Sequence, residues 1–186
     1  MIIYIARHGQ DDDSVRGGWS DLHLTPFGVE QSQKLAEKLF ENKDRYNIGK
    51  IYSSDLKRAV QTTEIISDKL GIEIEFLPDF REVNNGTLAG MKNEIAELKY
   101  PNLYWRNLEW NEKYPNGESP REFFERVSFA WKEFLDKNRT YDKNILLITH
   151  GGVINIIKCL VKGENYSNKN KYQGLPCADI CFEYEI

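Results

Sequence analysis

Two short stretches of the chain are apolar without alternation, and each ends in a histidine followed by glycine. The first is Ile2–Ile3–Tyr4–Ile5–Ala6, which leads into Arg7–His8–Gly9; the second is Ile145–Leu146–Leu147–Ile148, which leads into Thr149–His150–Gly151–Gly152. A strand with one wet face alternates apolar and polar residues. An uninterrupted β-branched run instead suits a strand covered on both faces, as in a parallel sheet. Lys50–Ser53, Glu73–Leu77 and Ile180–Tyr184 are weaker strand candidates.

Parallel strands need long crossovers, and the intervals here read as helices. Thr25 and Pro26 form an N-cap and first helical position, opening a helix to about Phe40 with Leu35, Leu39 and Phe40 inward. Ser53 or Ser54 is expected to cap a second helix, which Gly71 ends after Leu70. Ser119–Pro120–Arg121–Glu122 has the form of a capping box. The helix behind it puts Phe123, Phe124, Val127, Ala130, Trp131, Phe134 and Leu135 on one broad face. Gly151 and Gly152 open a last helix carrying Val153, Ile154, Ile157 and Leu160. Strands alternating with helices predict a layered α/β sheet. The 186 residues suit one domain, 1–186. The least regular stretch, Gly86–Glu118, holds Tyr100, Trp105, Trp110 and Tyr114 with no linker-like flanks, and reads as an aromatic-rich insertion on that domain.

A net charge of -4 and a pI near 5.5 give no basic field for nucleic acid or an anionic membrane. Any anionic substrate must be held by a local cluster of cations. Cys159, Cys177 and Cys181 are odd in number and lack the spacing of a disulfide framework. The Cys177/Cys181 spacing does not suit a zinc knuckle, so thiols are expected, with no metal. The apolar start is too short for a signal or a span, and a cytoplasmic location is the default expectation.

In open α/β sheets, ligands gather beyond the carboxyl ends of strands. Arg7–His8–Gly9 and His150–Gly151–Gly152 both fall there, the second at a helix start whose free N–H groups favour anions. Each alone has a bland reading, as a surface turn or a satisfied core histidine; their repetition at the two best strands argues for a shared site. Ser54–Asp55–Leu56–Lys57–Arg58 follows another strand and places Arg58 in the first turns of a helix. A cation is unfavourable there unless an anion sits beside it. Arg81–Glu82–Val83–Asn84–Asn85–Gly86 follows a further strand, and Glu82 is a candidate general acid or base.

Together these motifs resemble the histidine phosphatase superfamily, the phosphoglycerate mutase-like family. The resemblance runs from Arg7–His8–Gly9 through Leu24–Thr25–Pro26–Phe27–Gly28 with Gln31, then Ser54–Asp55–Leu56 with Arg58, Ala59, Gln61 and Thr62. Arg81–Glu82 with Gly86 and Gly90 and His150–Gly151–Gly152 complete it. It implies a three-layer α/β/α sandwich around a mostly parallel sheet. It also implies that His8 is the nucleophile that becomes phosphohistidine. Arg7, Arg58 and His150 would bind the transferring phosphoryl group, with Glu82 as proton donor. Phosphoryl transfer is mainly positioning and charge stabilisation, which two guanidiniums and a protonated His150 would supply with no cofactor. The implied substrate is a small phosphorylated metabolite and the implied reaction phosphomonoester hydrolysis. Phosphoglycerate mutase-type transfer is the alternative, though the chain looks short for that group, and a non-catalytic phosphate-binding module is a further one.

Many relatives carry Glu-Thr after Arg-His-Gly and an asparagine a few residues on. Here the run is Gln10–Asp11–Asp12–Asp13–Ser14–Val15–Arg16. Gln10, Ser14, Arg16 and Gly151 are the candidate substrate-binding residues, with Ser14 in the asparagine role and Arg16 for a second anionic group. The three aspartates oppose a phosphate, so they either face solvent, the preferred expectation, or select a substrate with a cationic or sugar-hydroxyl part. The insertion either forms a lid over the leaving group or simply seals itself onto the domain.

Overall fold

The computed structural model describes residues 1–170 and 174–186. Its strands are β1 (Ile2–Arg7), β2 (Ile48–Ser53), β3 (Ile74–Phe76), β4 (Asn144–Thr149) and β5 (Ile180–Glu185). They form one sheet in the order β3-β2-β4-β1-β5. β1, β2, β3 and β4 pair in parallel, and β5 closes one edge antiparallel to β1. The helices are α1 (Pro26–Glu41), α2 (Lys43–Tyr46), α3 (Lys57–Leu70), α4 (Asn93–Lys99), α5 (Pro120–Asn138) and α6 (Gly151–Lys162).

The unalternating runs are explained by burial on both faces. Ile3, Ile5, Ile145 and Leu147 pack under α5 and α6, against Phe123, Val127, Trp131, Phe134, Val153 and Ile157. Their neighbours Tyr4, Ala6, Leu146 and Ile148 point the other way, against Leu35, Ala36 and Leu39 of α1 and Ala59 and Ile66 of α3. The result is the expected three-layer α/β/α sandwich.

Local signals set most helix ends. Thr25 Oγ1 accepts the Gly28 N–H at 3.0 Å, with Pro26 next in line. Ser119 and Glu122 complete the capping box. Two expectations need correction. Neither Ser53 nor Ser54 caps α3, which starts at Lys57 behind Leu56. Ser53 is still paired to Ile148 in the sheet, and the Ser54 N–H donates to the Ile148 carbonyl, so the chain has not yet left β2. Phe40 is not inward: it is 43% exposed, one step off the Leu35–Ala36–Leu39 stripe, with the Lys69 ammonium over its ring.

Residues 86–118 contain α4, two 3-10 turns and a small cluster of Leu88, Leu108 and Tyr114. Backbone hydrogen bonds stitch this segment to the loop after β1: Arg16 N–H to the Met91 carbonyl, Gly90 N–H to the Arg16 carbonyl and Asn93 N–H to the Ser14 carbonyl. Asn168, beyond α6, donates to the carbonyls of Trp105 and Leu108. The segment is thereby fixed over the carboxyl end of the sheet. Among the described residues no helix is long and apolar enough to cross a membrane.

Candidate active site

Register decides what meets at that end. β1 and β4 are adjacent and parallel with Arg7 level with Thr149, and the His8 N–H donates to the Thr149 carbonyl. From these neighbours the chain departs in opposite directions, to β2 through α1 and to β5 through α6, which opens a crevice at the topological switch point. His8 and His150 therefore face each other, ring centres 4.9 Å apart. Gly9 lets this turn pack on α1, because a Cβ there would collide with the Gly28 carbonyl.

His8 is 3% exposed. Its Nδ1–H donates to the Gly9 carbonyl at 2.6 Å. A carbonyl only accepts, so the proton resides on Nδ1 and the Nε2 lone pair is left open. Arg58 Nε–H points at that lone pair from 3.3 Å. The Arg58 guanidinium is 2% exposed and anchored by backbone: Nη1 donates to the Ser20 carbonyl and Nη2 to the Gly18 carbonyl. Burial disfavours the Arg58 cation, and the negative charges of Asp11 and then Glu82 oppose that effect.

Arg7 Nη1 donates to the Leu175 carbonyl at 3.0 Å, while its buried Nε has no partner among the described residues. His150 Nε2 lies 2.8 Å from Ser54 Oγ, and its buried Nδ1 is likewise unpartnered. Buried polar atoms without partners are uncommon in folded proteins; two of them converge on this crevice. Glu82 accepts the Gly152 N–H on Oε2 and the Val83 N–H on Oε1, both at 3.0 Å. A cavity of about 390 Å³ opens here on Arg7, Glu82 and Gly151, and Trp105 and Arg106 of the insertion form its far wall.

All five principal residues expected from the sequence, Arg7, His8, Arg58, Glu82 and His150, thus converge. Gly151 lines the cavity as the first residue of α6. The Gln10 side chain instead accepts from Thr25 Oγ1, at the start of α1. Ser14 is exposed and hydrogen-bonds Asp12. Arg16 lies against the insertion, its guanidinium 4.2 Å from the Tyr104 ring and 3.7 Å from the Glu97 carboxylate, with Nε unpartnered. Asp12 and Asp13 face solvent, but Asp11 does not: its carboxylate reaches 3.3 Å from Arg58 Nε. A β-bridge between Asp11 and Leu24 turns the side chain inward.

The expectation of a protonated His150 also changes. Burial, then the Arg58 charge, holds His150 well below the ordinary imidazole value of 6.5, and the same two causes in the same order act on His8. This has a measurable consequence for stability. Above pH 6.5 both imidazoles are neutral folded or unfolded and contribute nothing. Below it the unfolded chain takes up protons that the fold refuses, so stability falls with acidification, by about 1 kcal/mol per pH unit for each histidine. Asp11, pushed up by burial, has the opposite slope. The thermal midpoint followed from neutral pH downward should therefore fall less steeply in His8→Ala than in the wild type. Equal slopes would contradict the buried neutral state of His8.

Several supporting residues had no role assigned from the sequence. Arg126 of α5 donates to the carbonyls of Asp79, Arg81 and Glu82 and pairs with Glu118, fixing the Glu82 segment from below. Trp19 Nε1–H donates to the Glu82 carbonyl at 2.6 Å. Thr62 Oγ1 accepts the Gly9 N–H. An arginine on the apolar face of α5, between Phe123 and Val127, was the available signal for the first of these.

Residues 3–185 match the model of the histidine phosphatase superfamily (branch 1). The chain belongs to the histidine phosphatase superfamily. It is 30% identical over 175 residues to the broad-specificity phosphatase YOR283W of Saccharomyces cerevisiae, covering 88% of this chain and 71% of that one. It is 31% identical over 159 residues to the 2,3-bisphosphoglycerate-dependent phosphoglycerate mutase of Cytophaga hutchinsonii, covering 81% and 72%. The α-ribazole phosphatase of Shigella flexneri superposes with a TM-score of 0.76 at 25% identity, over 89% of this chain and 81% of that one. The superfamily is one of enzymes acting on phosphomonoesters, and this protein is one of its enzymes.

Gly152 offers a local test of the superfamily site. A Cβ there would collide with Glu82 Oε1 and come within 3.1 Å of the Phe123 ring. Gly152→Ala should displace the carboxylate of Glu82, the candidate general acid or base, and the expected fall in kcat is on the order of tenfold to a hundredfold, the penalty for a small misplacement at a reacting centre. Gly151→Ala meets no atom closer than 4.0 Å and serves as the comparison. Wild-type activity in Gly152→Ala would show that the Glu82 position is not critical.

Proposed function

We propose that this enzyme hydrolyses a small phosphomonoester through a phosphohistidine on His8, with Glu82 as the proton donor. The observation that carries the reading is the tautomer of His8. Its Nδ1–H is tied to the Gly9 carbonyl, so the bare Nε2 is the atom facing Arg58. Attack by Nε2 on phosphorus spreads negative charge over the phosphoryl oxygens. Arg58 Nε, Arg7 Nε and His150 Nδ1 are the donors for that charge. In this mechanism the Ser54 hydroxyl, 2.8 Å from His150 Nε2, donates to it and the ring proton sits on Nδ1, so a neutral His150 still serves as a donor.

Glu82 hands a proton to the leaving oxygen in the first half-reaction and takes one from the attacking water in the second. Water as the second acceptor is supported by the cavity that extends from Glu82 to the exposed Arg106. Arg7, His150 and Gly151 complete the phosphoryl pocket. Arg16, with its unpartnered Nε, is the residue for a second anionic group.

The test is phosphate release from a broad panel of phosphorylated metabolites, with the His8→Ala protein as blank. One arm carries 3-phosphoglycerate with a trace of bisphosphoglycerate, because relatives include phosphoglycerate mutases. Isomerisation to 2-phosphoglycerate with negligible free phosphate would replace hydrolysis by mutase chemistry.

A further inference from the structure

Asp11 is a carboxylate in a place where an anion-binding site has no evident use for one. Its Oδ2 lies 3.3 Å from Arg58 Nε, the same N–H that lies 3.3 Å from the His8 Nε2 lone pair. Nη1 and Nη2 of that guanidinium donate to the Ser20 and Gly18 carbonyls, and Nε is the donor it turns toward His8. A phosphorus atom in reach of Nε2 must put an oxygen against this N–H. The carboxylate and the phosphoryl oxygen therefore compete for one donor. The backbone of Asp11 is held beside Arg58 by its bridge to Leu24, whose N–H is in turn held by Gln61 Oε1 at 2.8 Å.

We propose that Asp11 is a specificity-determining residue, a resident anion on Arg58 that makes the site take up a phosphoryl group together with one proton. The inference rests on the phosphoryl pocket described under Proposed function. Two negative groups on one buried N–H repel each other, and a proton on Asp11 turns the repulsion into a hydrogen bond from the carboxyl O–H to a phosphoryl oxygen. The balance is simple: a phosphomonoester arriving as its monoanion transfers its proton to Asp11, and one arriving as its dianion requires a proton from solvent. With a second phosphate pKa near 6, the enzyme then favours the monoanion.

The charged and titratable groups around Asp11 agree with this. Arg58 of α3 and Arg7 at the end of β1 attract it, Asp12 in its own loop repels it, and Cys177 ahead of β5 lies within its field. His8 and His150 complete the surroundings and are neutral. Burial pushes the Asp11 carboxyl up in spite of the two arginines.

The deciding experiment is calorimetric binding of sulfate, a tetrahedral dianion that carries no proton of its own near neutral pH. Titrations in buffers of different ionisation enthalpy count the protons taken up. The wild type should take up about one proton more per sulfate than Asp11→Asn or Asp11→Ala, and its affinity should fall about tenfold per pH unit above neutrality while theirs stays level. His8 and His150 are present in all three proteins, so any uptake by them cancels. Asp12→Asn, a change at an exposed carboxylate, should keep the wild-type proton count. Equal proton uptake in wild type and Asp11→Asn, or no sulfate binding by either, overturns the proposal. Failure of every phosphomonoester to turn over would sink the hydrolase reading instead, and the sulfate result would still decide the role of Asp11.

Discussion

His8→Ala is expected to lose phosphomonoester turnover by on the order of 10⁵-fold, the scale seen when a covalent nucleophile is removed. The size of the effect follows from the geometry. Arg7, Arg58 and His150 remain and still bind the phosphoryl group, but no atom is left at the position of Nε2 to accept it. Water would have to attack from a pocket whose donors surround a histidine. The variant should fold, because the His8 side chain donates only to its own neighbour, the Gly9 carbonyl, and the Arg58 Nε–H that points at its Nε2 keeps the Asp11 carboxylate as a partner. Sulfate should still bind. Rapid quenching of the wild type with substrate should give an adduct that survives alkali and is lost in acid, as a phosphoramidate does, and the variant should give none. An alkali-labile adduct would move the nucleophile to a carboxylate or hydroxyl, and unchanged turnover in the variant would remove His8 from the mechanism.

The residues most legible in the sequence, Arg7, His8 and His150, share a physical property: each lies at the carboxyl end of a strand whose own pattern is strong. Arg7–His8 and His150 follow runs that can only be doubly buried strands, so their meeting at one edge follows from parallel pairing and register. Arg58 and Glu82 were less secure, since β2 is more polar and more exposed than β1 and β4 and β3 has only three residues, and the family pattern supplied what periodicity did not. What escaped reading depends on contacts between segments far apart in the chain. Nothing local to Asp11 announces that a bridge to Leu24 will turn it onto Arg58 while Asp12 and Asp13 stay in water. Arg126 reaches back some forty residues to the carbonyls around Glu82. The missed cap of α3 has the same origin, because pairing of Ser53 with β4 keeps the chain extended past the serines that would otherwise start a helix. Asp55 shows the consequence: it holds Arg81 through a two-bonded pair at 2.6 and 2.5 Å, tying the approach to α3 to the Glu82 loop.

Glu82→Gln is expected to separate the two half-reactions. With an alkyl phosphate, the leaving alkoxide needs the Glu82 proton, and kcat should fall on the order of 10²- to 10⁴-fold. With p-nitrophenyl phosphate the leaving phenolate is stable without that proton, so transfer to His8 should stay fast. Attack of water on phosphohistidine still needs the base. The variant should therefore release a burst of one nitrophenolate per site, then turn over slowly with phosphoenzyme accumulated. The substitution also perturbs structure: Glu82 accepts N–H groups from both Val83 and Gly152, and a glutamine has only one acceptor oxygen, so its NH₂ must oppose one of them at a cost of about 1–3 kcal/mol. Glu82→Ala has no such clash and should show the same burst. A merely misplaced loop would slow both substrates alike and abolish the burst, which is the outcome that would reduce Glu82 to a positioning group for α6. The burst with one substrate and its absence with the other assigns the proton, since only the chemistry of the leaving oxygen differs between them.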